Sequence, residues 1–241
     1  MGTFLRMLIA VSALLWAGAA AHAEDVDLEL VLLADATGSI DDSEIAFQRK
    51  GYAEALVSAD VLDAIRSGAH QKIAVTYVEW GASTSQEIVV GWTVIDDEAS
   101  AQVFATALLS PPRLARGRNA IGQALMFGKA MIESNAYEGY RKVIDLSADS
   151  ANSWNGIPLA EAREIVVAAG ITINGLPILC RFCSGRPVSY DLEAAFERTI
   201  IGGPDAFVVT ADDMQQFSTA VKRKLVLEIA GLPRPQDLAL D

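Results

Sequence analysis

Histidine and cysteine are scarce in this sequence. Its 241 residues include two of each, whereas structural zinc sites are built almost entirely from these side chains. One histidine lies in the N-terminal leader described below, and the other, His70, is remote in sequence from every candidate nucleophile. The G-x-S-x-G turn that carries the nucleophile of many serine hydrolases is also missing. This scarcity excludes a zinc centre and argues against histidine-dependent hydrolysis.

Long apolar runs are missing after the N-terminus. Within residues 1–23, Arg6 precedes an apolar run and the segment closes with Ala21-His22-Ala23, which is the order of a secretory signal peptide. The run is shorter than the ~20 residues that a membrane span needs, and an uncleaved anchor is the alternative. We therefore expect cleavage before Glu24, no membrane span in the mature chain, and an exported protein in the periplasm or the extracellular space.

Basic residues are in the minority. The chain has 19 lysines and arginines against 31 aspartates and glutamates, and its formal net charge is −12. A chain this acidic repels phosphate backbones and anionic lipids, so nucleic acid is a poor partner, and cations or basic protein surfaces are better ones. Arg113, Arg116 and Arg118 nevertheless share one loop with prolines and a glycine. We predict that this loop is exposed, either to bind a partner or to balance the acidic body in solvent.

The two cysteines, Cys180 and Cys183, form a C-x-x-C pair. In an oxidising compartment the simplest prediction is a small local disulfide. A redox role would require the first cysteine at a helix N-terminus, which lowers the pKa of its thiol, but the residues after Cys183 continue as a loop. Free thiols are the third alternative.

No internal repeat or linker divides the mature chain. Its length and its 51% hydrophobic content are sufficient for one domain with a sizeable core. We predict a signal peptide at residues 1–23, a single domain at 24–232 and a C-terminal tail at 233–241.

Strand and helix patterns alternate through this domain. Residues 30–33 are apolar on both faces, as the central strand of a helix-covered parallel sheet must be. The β-rich runs 72–80 and 86–95 are joined by a connection too short for a crossover helix, so the second run should be an antiparallel edge strand. A last strand is expected at 206–210. The pattern predicts a three-layer, doubly wound α/β fold with a mostly parallel sheet of about six strands.

Oxygen-bearing side chains gather where the first strand ends. Asp35, Thr37 and Ser39 place one carboxylate and two hydroxyls at alternate positions. Asp149 follows a later apolar strand, and the loop that carries Asn119 could reach the same place. In doubly wound sheets, ligands bind past the carboxyl ends of strands at the switch point of the topology. Because Mg²⁺ prefers oxygen ligands, these segments together predict a site for a hard cation.

This arrangement resembles the von Willebrand factor type A (vWA) domain, whose metal-ion-dependent adhesion site (MIDAS) uses D-x-S-x-S, a threonine from a second loop and a later aspartate. The stretches 75–80, 170–177 and 201–204 look like a family of functionally uncharacterised secreted bacterial proteins of this type. The resemblance implies a vWA fold that binds Mg²⁺, or Mn²⁺ or Ca²⁺ in its place. The ligands carried over are Asp35, Thr37, Ser39, Asn119 and Asp149. Thr37 replaces a serine and keeps the hydroxyl, whereas Asn119 replaces the threonine with an amide oxygen.

The function that the resemblance implies is an exported binding module. The later aspartate of such sites acts through water, which leaves the ion with an open position that an acidic side chain of a protein partner can fill. A metal-free structural or interaction scaffold with a degenerate site is the alternative. A Mg²⁺-dependent phosphoryl or ester hydrolase with Asp35 as nucleophile is less favoured, because Thr37 stands where the second acid of such enzymes is usual.

Overall fold

The computed structural model describes residues 23–179, 189–211 and 214–231, except for the side chains of 214–216. The predicted signal peptide, apart from its last residue, lies outside this part of the chain. The same is true of the predicted tail and of the Cys180 and Cys183 pair, so these expectations stay predictions.

A five-stranded sheet with the order β3-β2-β1-β4-β5 forms the centre of the protein. Its strands are β1 Glu24–Asp35, β2 Ile73–Trp80, β3 Gln86–Ile95, β4 Tyr137–Ala148 and β5 Thr172–Pro177. All neighbouring pairs are parallel except β2 with β3. The predicted α/β class and the antiparallel edge strand are therefore confirmed. Because β1 lies between β2 and β4, the chain adds strands first on one side of β1 and then on the other, which is the predicted switch point.

Helices cover both faces of the sheet. They are α1 Asp42–Leu56, α2 Ala59–Arg66, α3 Glu98–Leu109, α4 Ile121–Glu133, α5 Leu159–Ala168, α6 Leu192–Thr199 and α7 Met214–Ala230. The start of α1 follows from its capping box: Asp41 accepts hydrogen bonds from the first turn, and the Glu44 carboxylate accepts one from the Asp41 N–H. Every helix in the described part of the chain is either too short or too polar to traverse a bilayer.

The first strand is buried on both of its faces. Leu28, Leu30 and Leu32 pack into the core beneath α1, α2, α3 and α7, whereas Val31 and Leu33 pack beneath α4, α5 and α6. Burying one such side chain contributes about 1.5–3 kcal/mol to stability. This two-sided burial fixes the position of the residues that follow β1.

The predicted sixth strand at 206–210 is not a continuous strand. This segment runs parallel to β5 but forms only isolated bridges. The Val209 N–H donates to the Gly175 C=O at 3.1 Å, and the Ala211 N–H donates to the Pro177 C=O at 3.0 Å. The donor that would complete the ladder between these bonds belongs to position 177, where proline has no N–H. In the part of the chain that the structure describes, the sheet therefore has five strands rather than the predicted six or so.

A buried polar cluster lies between the sheet and α7; it consists of Asp145, Asn174, Lys224 and Glu228, and we refer to it as the Lys224 cluster. The Lys224 Nζ lies 2.6 Å from the Asp145 Oδ1 and also pairs with Glu228. The Asn174 Nδ2 donates to the Glu228 Oε1 at 3.0 Å. Two carboxyl groups thus share one ammonium group in the core. This cluster was not predicted from the sequence, because its members come from β4, β5 and α7.

Candidate metal centre

The turn after β1 brings three of the predicted ligands together. Asp35 is the last residue of β1 and is fully buried. The Thr37 N–H donates to the Asp35 Oδ1 at 2.8 Å. The Thr37 Oγ1 and the Ser39 Oγ lie 3.2 Å apart. The carboxylate and both hydroxyls therefore gather within one turn, which we call the metal loop (residues 35–40).

Asp149 joins the same group from the neighbouring strand. It directly follows β4, and its N–H donates to the Asp35 Oδ2 at 3.4 Å. Burial raises the pKa of Asp149, and a hydrogen bond from the Ser39 side chain opposes part of this rise. Four of the five predicted ligands thus meet at the switch point between β1 and β4.

The two carboxyl groups are electrostatically unfavourable neighbours. Burial raises the pKa of Asp35 to about 8, and the charge of Asp149 adds to this rise, whereas hydrogen bonds from Thr37 oppose it. Among the described residues, neither carboxyl group forms a salt bridge with a lysine or arginine. A divalent cation between them would supply the missing positive charge and favour their ionised forms.

The donor chemistry of the group fits a hard cation. Carboxylate and hydroxyl oxygens suit Mg²⁺, Mn²⁺ and Ca²⁺, and Mg²⁺ commonly retains several waters. Within the described ranges, no site gathers three or more His, Cys, Asp or Glu side chains. The hydroxyls of Thr37 and Ser39 are therefore the side-chain oxygens that could add to the two carboxylates here. Asp35, Thr37, Ser39 and Asp149 are the residues that could hold such an ion.

Asn119 is tied to this region through its backbone. Its C=O accepts a hydrogen bond from the Trp154 N–H at 2.8 Å, which joins it to the loop after β4. The side chain is 9% exposed, and its Nδ2 is buried without a hydrogen-bond partner in the described part of the chain. Among the described residues, the Asn119 side chain forms no hydrogen bond with the other four predicted ligands. The structure therefore brings four of the five into direct contact and leaves Asn119 beside them.

The loop at residues 110–119, here called the arginine loop, only partly matches its prediction. Arg116 and Arg118 are exposed residues, and the Arg118 guanidinium lies 5.0 Å from the ring centroid of Trp154. The Arg113 side chain, in contrast, is only 8% exposed. It donates to the C=O groups of Ala36, Thr37 and Ile40 in the metal loop. The prediction of an exposed loop is wrong for Arg113, because these carbonyls bury its guanidinium.

A buried ion pair between Arg49 and Glu79, which was not predicted from the sequence, supports the arginine loop. Glu79, near the end of β2, is fully buried, and its Oε1 accepts from the Arg49 Nη2 at 2.6 Å. Its Oε2 accepts from the N–H groups of Leu114 and Ala115 at 2.8 and 3.2 Å. The signal was present in the sequence: Glu79 is a charged residue within an otherwise uncharged strand whose every residue is buried, and buried charges require partners.

The fold is similar to those of several solved structures. The pilus adhesin SpaC from Lactobacillus rhamnosus GG has a TM-score of 0.59 at 15% identity, over 85% of this chain and 31% of the adhesin. Proximal thread matrix protein 1 from the mussel byssus has a TM-score of 0.58 at 20% identity, over 86% of this chain and 49% of that protein. BatB from Bacteroides thetaiotaomicron has a TM-score of 0.53 at 16% identity, over 85% of this chain and 100% of BatB. The protein is therefore an α/β protein with a vWA-like fold.

The chain belongs to the DUF1194 family, described as proteins of unknown function, whose family model matches residues 25–233. A comparison with curated proteins finds no match. The chain spans about a third of the adhesin and about half of the byssus protein. At the identities given above, the similarity to solved structures shows the fold alone.

Proposed function

We propose that this protein is an exported binding module that recognises a protein partner through a divalent cation held by the metal loop and Asp149. The observation that carries the proposal is the meeting of the fully buried Asp35 carboxyl group with the partly buried Asp149 carboxyl group, without a basic partner in the described residues. The vWA-like fold supports it, and one structure of the byssus matrix protein has a zinc-occupied MIDAS motif. The predicted signal peptide supports export to the periplasm or the extracellular space.

The ion would be Mg²⁺, Mn²⁺ or Ca²⁺. Asp35, Thr37 and Ser39 would supply its protein oxygens, and Asp149 would act directly or through a water. Rotation of the Asn119 amide by a half turn would exchange its nitrogen and oxygen, so that Oδ1 would take the place of the unpartnered Nδ2. A coordination position left to water would accept a carboxylate from the partner.

The surface around this position favours an acidic partner segment. Arg118 and Trp154 lie together beside the loops of the site, and Trp154 is 62% exposed. Arginine and tryptophan are the side chains that most often dominate the energetics of protein interfaces. On a protein with a formal net charge of −12, a local positive charge next to the metal centre would steer a carboxylate toward it.

Calorimetric titration of Mg²⁺, Mn²⁺ and Ca²⁺ tests the proposal. Wild type should bind at least one ion at millimolar concentration or below, which is the range of extracellular cation modules. Asp35→Ala should abolish binding, whereas the exposed control Asp63→Ala on α2 should not change it. A pull-down from the cell envelope should then recover a partner that EDTA releases.

The absence of ion binding by folded wild type at millimolar concentrations would contradict the proposal and leave the metal-free scaffold. Ion binding accompanied by turnover of phosphate or ester substrates, with both lost in Asp35→Ala, would favour the hydrolase instead.

A further inference from the structure

Arg113 joins the arginine loop to the metal loop. Its Nη2 donates to the C=O groups of Ala36 and Thr37, the latter at 2.7 Å, and its Nη1 donates to the Ile40 C=O at 2.7 Å. Its Nε donates within its own loop, to the Ala115 C=O at 3.0 Å. One guanidinium therefore binds three carbonyls on a turn of six residues.

These three bonds fix the orientation of whole peptide groups. In a trans peptide the C=O and the following N–H point in opposite directions, so each peptide can be held at both ends. In the peptide between Ala36 and Thr37, the C=O accepts a hydrogen bond from Arg113. The N–H of the same peptide donates to the Asp35 Oδ1 at 2.8 Å. In the next peptide, the Thr37 C=O also accepts from Arg113, and the Gly38 N–H donates to the Gly117 C=O at 2.8 Å.

The third bond fixes the far end of the turn. In the peptide between Ile40 and Asp41, the C=O accepts a hydrogen bond from Arg113 at 2.7 Å. The N–H of this peptide donates to the Glu44 carboxylate, also at 2.7 Å. Thr37 and Ser39, which carry the two hydroxyls of the candidate site, are among the residues that lie between these fixed peptides. Backbone orientation limits each hydroxyl oxygen to the three staggered positions around its Cα–Cβ bond.

The buried ion pair between Glu79 and Arg49 holds the backbone next to Arg113 in place. The two residues after Arg113 donate their N–H groups to the Glu79 Oε2, and the Glu79 Oε1 is paired with Arg49. Arg49 also donates to the C=O groups of Pro111 and Pro112, which precede Arg113 in the arginine loop. The backbone on both sides of Arg113 is thereby anchored to the end of β2.

We propose that Arg113 is a positioning residue for the metal centre, holding the metal loop in its liganding conformation without contacting the ion. This inference rests on the proposed function, since it requires that the loop bind a cation. The charge of Arg113 allows a positioning role to be distinguished from a purely electrostatic one. A fixed positive charge close to a cation site opposes binding, so removal of the charge alone would strengthen cation affinity. Loss of positioning would weaken it.

The test is the affinity for Mn²⁺, measured by calorimetric titration on the full mature chain. Arg113→Ala should lower the affinity roughly 10–100-fold, as the loss of residues that orient metal ligands does elsewhere. Arg116→Ala is the matched control, because it removes the same charge from the exposed part of the same loop. Its affinity should be unchanged or slightly higher. Methylguanidinium added to Arg113→Ala should restore part of the lost affinity, which a general loss of stability would not allow.

Arg113→Lys provides a second variant should the alanine variant fail to fold. It keeps the charge but cannot bind three carbonyls in the fixed geometry of a guanidinium, so its Mn²⁺ affinity should also fall. Wild-type affinity in either folded variant would overturn the proposal and leave the proposed function intact. If wild type itself binds no Mn²⁺ and no other ion, the proposed function and this inference are both wrong.

Discussion

Glu228 in the Lys224 cluster provides a direct test of the buried electrostatics. The cluster contains two carboxyl groups and one ammonium group, and the second oxygens of Asp145 and Glu228 have no hydrogen-bond partner in the described part of the chain. Burial raises the pKa of Glu228 to about 7, and the charge of Asp145 adds to the rise, whereas Lys224 and Asn174 oppose it. Glu228→Gln replaces the excess carboxylate with a neutral group of the same shape.

The expected effect depends on pH. The pKa of glutamate rises from 4.5 to about 7 in the folded protein, so the folded state binds the proton more tightly than the unfolded chain. Wild-type stability attributable to Glu228 is therefore fully present below pH 4.5 and is lost as the pH rises to about 7. At 1.36 kcal/mol per pKa unit, this loss amounts to about 3 kcal/mol. The glutamine does not titrate and does not lose this stability.

Urea unfolding between pH 4.5 and pH 8, in the presence of EDTA, measures the difference directly. Glu228→Gln should match wild type at the acidic end and become more stable by up to about 3 kcal/mol at the alkaline end. The exposed control Glu197→Gln on α6 should show no comparable divergence. If the variant is less stable than wild type at pH 8, this prediction is wrong, because Lys224 then needs an ionised Glu228.

Two further predictions concern the candidate site. Glu79→Ala should lower the free energy of unfolding in urea by about 3–5 kcal/mol, because it leaves the Arg49 guanidinium buried without its carboxylate. A decrease below about 1 kcal/mol, which is typical of exposed ion pairs, would contradict this prediction. Asn119→Ala should lower Mn²⁺ affinity about tenfold or more without lowering the melting temperature in EDTA, because the Asn119 Nδ2 has no hydrogen-bond partner among the described residues. Unchanged affinity would exclude Asn119 as a ligand.

The switch-point geometry could be predicted because it depends on local patterns. The two-sided apolar character of residues 30–33 predicts a central strand, and the short connection between β2 and β3 requires an antiparallel pair. Once those strands are placed, Asp35 and Asp149 must follow neighbouring strand ends. The sixth strand was predicted from the same kind of pattern. The residue that interrupts its pairing, Pro177, lies in the neighbouring strand β5 and not in the segment itself. Because Pro177 has no N–H to donate, the segment forms only isolated bridges.

The fold class, the strand ends and the oxygen-rich loop could be predicted from residue patterns, because periodicity and short spacings act over a few residues. The roles of Arg113 and Arg49, in contrast, depend on contacts between residues that are far apart in the chain. Arg113 lies more than seventy positions from the carbonyls of Ala36 and Thr37 that it binds, and Arg49 is 30 positions from Glu79. Such pairings are set by the packing of distant loops at one edge of the sheet, and no local pattern encodes which arginine is buried and which remains exposed.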